Sequence, residues 1–202
     1  MDFLHLFRAG GFMMYPLILC SLVVVAIFIE RFRYYRSNRS HVDQLGRDIP
    51  KYLEKRDYEG LKTLLQQDGG IPASVVLAGV EHMNLKVDQT SLIEGAASHA
   101  AGLLKNYLNY LDVIVTLSPL MGLLGTVIGM IGSFNVLSVS NGQPFAVTGG
   151  VAEALVCTAT GLFVAIIALI AYTYLSQQVS HFVSDMEKLG TLYLAIVEAK
   201  EQ

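Results

Sequence analysis

Tryptophan is absent from this sequence, cysteine occurs twice, and charged residues make up only 15% of 202. Soluble domains carry roughly 25% charged residues, so an ordinary soluble enzyme is a poor fit. Cys20 and Cys157 both lie in apolar stretches, which argues against a disulfide scaffold and reads them as small buried hydrophobes. The five histidines (His5, His41, His82, His99, His181) never fall at ligand spacing, so no metal site is expected. No Gly-rich loop precedes a Lys-Ser or Lys-Thr pair, and there is no nucleophile elbow and no HExxH. Nothing therefore suggests nucleotide hydrolysis, acyl transfer or zinc chemistry, and the expectation is a non-enzyme without cofactor. A net charge of -3 and a pI near 5.9 make nucleic acid an unsuitable partner.

The distribution of the few charges is more informative than their number. Residues 9–29, 113–152 and 154–184 contain no Asp, Glu, Lys or Arg, so Glu153 is the only charge between 113 and 184. Apolar runs of that length read as membrane spans. The first span is 12–29, about 27 Å of helix, against a hydrocarbon core about 30 Å thick. A cleaved signal peptide would carry its positive charge before the run. Here Glu30-Arg31-Phe32-Arg33, Arg36 and Arg39 follow it, so the segment reads as an uncleaved anchor. The second span is 113–139 and the third 146–175, joined by a short uncharged connection at 140–145.

Residues 30–112 hold 11 of the 14 Lys and Arg; residues 1–29 hold only Arg8, the connection holds none, and the tail holds Lys188 and Lys200. The positive-inside rule puts 1–11 outside, 30–112 in the cytoplasm and 176–202 in the cytoplasm. The fold class expected is an all-α integral membrane protein with three spans. The cytoplasmic part reads as helices 41–56, 58–67, 72–86 and a long helix from Asp88 that continues without a breaker into the second span. The third span reads as extending into the tail, with Phe182, Met186, Leu189, Tyr193 and Ile196 on one stripe. The second and third spans are thus expected to end in a cytoplasmic helical bundle.

Glu153 requires an explanation, because an ionised carboxylate inside a span costs about 2.5–3.5 kcal/mol on insertion scales. Protonation avoids that cost, and a carboxyl that gains and loses a proton is what a proton relay needs. The alternative is a permanently neutral Glu in a helix–helix hydrogen bond. On the second span Gly122, Gly125, Gly129 and Gly132 form one stripe on which another helix can approach closely. Ser118, Thr126 and Ser133 share or flank it, available either for packing or for a narrow polar path. On the third span Cys157, Thr160 and Ala171 lie near the face of Glu153. Pro119 frees the carbonyl of Val115, a candidate kink. Three spans with one carboxyl cannot enclose a pathway alone, so oligomerisation is expected, with the acid facing a shared interior.

Ser118-Pro119-Leu120-Met121-Gly122-Leu123-Leu124-Gly125-Thr126-Val127-Ile128-Gly129-Met130-Ile131 resembles the second-span signature of the ExbB/TolQ/MotA proton-channel family. Glu153-Ala154-Leu155-Val156-Cys157-Thr158-Ala159-Thr160-Gly161-Leu162 is similar to its third-span signature, and Gly11 to Arg31 to the first span of ExbB-like members. The resemblance covers nearly the whole chain. It implies a bacterial inner-membrane protein with a periplasmic N-terminus, assembled as a homo-oligomer, a pentamer, around a dimer of single-span ExbD-like partners that each bring an essential Asp. It also implies a motor driven by the proton-motive force and linked to a TonB-like protein, with protons as the coupling ion. By the same resemblance Glu153 is the proton site and Thr126 and Thr158 face the pore, although Thr158 lies about 140° from Glu153 on an ideal wheel. Many relatives carry Pro where Ile167 stands, so a kink there is not expected. Other readings are a TolQ-like subunit for envelope integrity, a non-conducting membrane scaffold, and a solitary channel without partner.

Overall fold

The computed structural model describes residues 10–83, 88–139 and 145–201. The expected outer segment up to residue 9 and the connection over 140–144 lie outside the described residues, as do 84–86 of the expected 72–86 helix, which already ends at Glu81 with His82 as its cap. The described residues form α1 (Met14–Ser37), α2 (Val42–Glu54), α3 (Tyr58–Asp68), α4 (Ile71–Glu81), α5 (Gln89–Leu104), α6 (Leu108–Val139) and α7 (Phe145–Glu201). Three stretches, within α1, α6 and α7, are long and apolar enough to cross a membrane. The chain divides into two compact units, 1–29 with 107–174 and 30–106 with 175–202.

In the first unit many small residues are buried while many large apolar ones are not. Leu17 of α1 and Leu108, Leu111 and Ile114 of α6 are buried, but many buried positions are small: Ser118 and Ser133 on α6, and Ala154, Cys157, Ala165, Ala168 and Ala171 on α7. Large apolar side chains point outward, among them Leu120 (61% exposed), Phe163 (63%) and Ile170 (66%). In water such a surface would be a large apolar patch; in lipid it costs nothing, and packing rests on close backbone approach. Helix α6 runs unbroken through Pro119, and α7 runs unbroken through Ile167.

The second unit has a conventional core. Leu45, Ile49 and Leu53 of α2, Leu61 and Leu65 of α3, and Ala73, Val75, Val76 and Val80 of α4 are buried. So are Leu175, Val179, Phe182, Met186, Leu189, Tyr193 and Val197 of α7, at intervals of three or four that make one helical stripe, with Val197 rather than Ile196 as its last buried member. Two helices are capped by side chains: Asp57 accepts from the Gly60 amide, and Asp88 from the amides of Thr90 and Ser91. Helix α3 ends at Gly69 with φ 65°, the left-handed stop that glycine adopts without strain. Pro72 stands in the first turn of α4. Lys188 meets Asp43 at 3.0 Å, joining α2 to α7.

One expectation fails. The helix from Asp88 does not continue into the second span: α5 stops at Leu104, Lys105 is its cap, and Tyr107 takes φ 67° before α6 begins at Leu108. The cause is tertiary. In a continuous helix the carbonyls of Leu103 and Leu104 would accept from amides four residues ahead. Instead the Tyr35 hydroxyl donates to the Leu104 carbonyl at 2.7 Å, and Arg31 Nη1 donates to that of Leu103 at 3.2 Å. Arg31 is 5% exposed and is held by Glu30, with Nη2 to Oε1 at 2.8 Å. A buried cation at a helix C-terminus also complements the helix dipole.

Candidate functional site

The site grows from the seam between α6 and α7, which run antiparallel along it. On α6 the seam consists of Ser118, Gly122, Gly125, Gly129 and Ser133; on α7 of Gly150, Ala154, Cys157 and Gly161. A methyl group at 161 would stand 2.6 Å from the Ser118 carbonyl oxygen, one at 122 would stand 3.1 Å from Thr158 Cα, and one at 129 would stand 3.0 Å from the Gly150 carbonyl oxygen. At 125 it would fall on the Cys157 sulfur and at 150 on the Ser133 hydroxyl. These are mostly backbone neighbours that cannot move aside, so the two helices touch only because these positions lack side chains. Gly132 differs: it is exposed, with nothing within 4 Å of an added Cβ.

The hydroxyls along the seam divide by task. Thr158 Oγ1 donates across it to the Gly122 carbonyl at 3.1 Å. Ser133 donates back to the Gly129 carbonyl at 2.9 Å, Thr126 to that of Leu123 at 2.6 Å, and Thr160 to that of Val156 at 2.8 Å. Ser118 Oγ is buried without a hydrogen-bond partner. The 140° that separates Thr158 from Glu153 on the wheel is accounted for: Thr158 faces the α6 backbone.

Glu153 projects from α7 beside this seam and is half-buried. No hydrogen-bond or ion partner among the described residues takes its carboxyl. Gly11, in the turn ahead of α1, lies directly against it. Glu153 is the only Asp, Glu, Lys or Arg between residues 113 and 184, and an ionisable group in so apolar a stretch is costly to keep charged. Among the described residues no cluster of His, Cys, Asp or Glu could hold a metal.

Reasoning from the sequence did not find Gly11, Gly150 or Gly161. A signal existed for the last two, since Gly150, Ala154, Cys157 and Gly161 are spaced 4, 3 and 4, complementary to the stripe on α6. For Gly11 the signal was only a Gly-Gly pair ahead of the span.

Residues 68–188 match the MotA/TolQ/ExbB proton channel family, well over half of the chain. The chain belongs to this family. It is 32% identical to an ExbB-like biopolymer transport protein of Synechocystis sp., over 92% of this chain and 91% of that protein. It is 29% identical to the Tol-Pal system protein TolQ of Haemophilus influenzae, over 92% and 89%. It is 39% identical to the biopolymer transport protein ExbB of Salmonella typhimurium, over 43% and 36%. The MotA/TolQ/ExbB match includes all of α6 and the part of α7 that carries Glu153, Thr158 and Gly161. The family is described as one of proton channels.

Proposed function

We propose that this chain is an inner-membrane proton-channel subunit that uses the proton-motive force to energise TonB-dependent uptake across the outer membrane. The observation that carries the reading is Glu153, the only charged residue between 113 and 184, half-buried beside a seam of glycines and hydroxyls. In the mechanism Glu153 accepts a proton, becomes neutral, and releases it on the other side as its surroundings change. One charge crossing 100 mV releases about 2.3 kcal/mol, so a few protons per step suffice to remake helix contacts. Thr126 and Thr158 face the path in this reading, and Gly132 with the outward face of α6 serves assembly. The partner is a single-span ExbD-like protein, present as a dimer inside a pentamer of this chain and connected to a TonB-like protein.

A second reading, a TolQ-like subunit that maintains the envelope, is favoured by the similarity to TolQ of Haemophilus influenzae over nearly the full length. Deletion of the chain separates the two. The ExbB-like reading predicts loss of iron–siderophore uptake with unchanged resistance to detergents and bile salts. Intact uptake with detergent sensitivity would overturn it in favour of the TolQ-like reading.

A further inference from the structure

Two independent restrictions fall on Gly11. Its φ is 64°, a conformation L side chains rarely adopt. Space is closed as well: a methyl group there would fall on Glu153 Oε1, with Cδ at 2.7 Å and Cγ at 3.3 Å. The Gly11 carbonyl accepts from the Met14 amide at 3.2 Å, which ties the turn to the start of α1. Gly10 is buried, and a methyl group at Gly125 would also meet Met13 Cβ at 3.5 Å. The turn is thus packed against both α6 and α7, and at Glu153 it offers only bare backbone to the carboxyl. A flexible Glu side chain has several rotamers of similar energy; a backbone wall on one side removes those that swing toward it.

We propose that Gly11 is a positioning residue for Glu153: the Gly10–Gly11 turn seats the carboxyl in one rotamer and covers it from the N-terminal side of α1. The inference rests on Glu153 being the proton site. Reproducible placement of the proton-carrying group is what a relay demands, and any side chain at 11 displaces either the carboxyl or the turn that covers it.

The test compares wild type, Gly11→Ala, Glu153→Asp and the double variant of the full chain in native membranes. Modification of residue 153 by dicyclohexylcarbodiimide, an apolar reagent for protonated carboxyls, is followed by mass spectrometry across pH. Gly11→Ala is expected to speed labelling of Glu153 several-fold and to move the pH profile of labelling. In the Glu153→Asp background, where the carboxyl is one methylene shorter and stands farther from the new methyl group, the same change has a clearly smaller effect. Identical labelling in wild type and Gly11→Ala overturns the proposal. So do equal effects in both backgrounds, which would trace to backbone strain at φ 64° alone. If Gly11→Ala fails to accumulate, recovery in the double variant supports the contact and failure in both overturns it. Uptake by Glu153→Gln cells separates the two layers. If that variant still drives uptake, the proton-site reading falls and Gly11 is left as a packing residue. If it is inactive while the labelling effects are absent, only the role of Gly11 falls.

Discussion

At position 161 a single methyl group decides between two opposing effects. Alanine in place of glycine inside a helix gains about 0.5–1 kcal/mol from backbone entropy. Here the methyl group would meet the Ser118 carbonyl oxygen at 2.6 Å and Gly122 Cα at 3.0 Å, and overpacking against groups that cannot rotate away costs about 1–3 kcal/mol. The second effect wins, so Gly161→Ala is expected to lower the thermal stability of the purified protein. Gly46→Ala, where nothing lies within 4 Å, should leave it equal or slightly higher. Thermal unfolding of both variants in the same detergent checks the pair. Cys157 belongs to the same scale: it fills the space that Gly125 leaves open, which fits its reading from sequence as a small buried hydrophobe.

At the scale of elements, the end of α5 is set by two side chains far away in sequence. Its last carbonyls are claimed by Tyr35 and Arg31, and no glycine or proline marks the stop. That is why a local reading ran the helix straight on: propensity at 103–108 favours continuation, and the competing hydrogen-bond donors lie some 70 residues earlier. The caps at Asp57 and Asp88 were legible, because a cap is a local signal. Tyr35→Phe removes the donor to a buried carbonyl and is expected to cost about 1–3 kcal/mol, read as a lower melting temperature. Burial pushes the Tyr35 phenol up to about 12, and burial does the same to Tyr193. The neutral form is therefore favoured in the folded state. Stability from these groups is complete below the ordinary tyrosine value of about 10 and is lost as pH rises from there through 12. An alkaline titration followed by circular dichroism should show helix loss in that window, coincident with tyrosinate absorbance. Tyr35→Phe should reduce the number of late-titrating tyrosines by one.

For the whole molecule, three long apolar helices were legible because the absence of charge over long runs is a property of composition, independent of what packs on what. The proposed orientation, with 30–112 in the cytoplasm, rests on the concentration of Lys and Arg there. It predicts that a cysteine placed at Gly46 or His181 reacts with a membrane-impermeant thiol reagent only after the cytoplasmic side is opened. Labelling in intact cells would contradict that orientation. The candidate site was legible in part. Glu153 and the α6 glycines stand out in a sequence of hydrocarbon side chains, whereas the role of the Gly11 turn emerges only when segments more than 140 residues apart come together. The outward face of large apolar side chains suits lipid or further copies of the chain.

The central claim is that Glu153 carries the coupling proton, and one substitution tests it most directly. Glu153→Gln keeps the size and hydrogen-bonding capacity of a neutral carboxyl but cannot release a proton. In cells lacking the wild-type chain, with membrane levels matched, Glu153→Gln should abolish proton-driven iron–siderophore uptake while the protein persists in the membrane. Uptake at the wild-type rate with Glu153→Gln would contradict the account and leave the chain a scaffold in which Glu153 only packs.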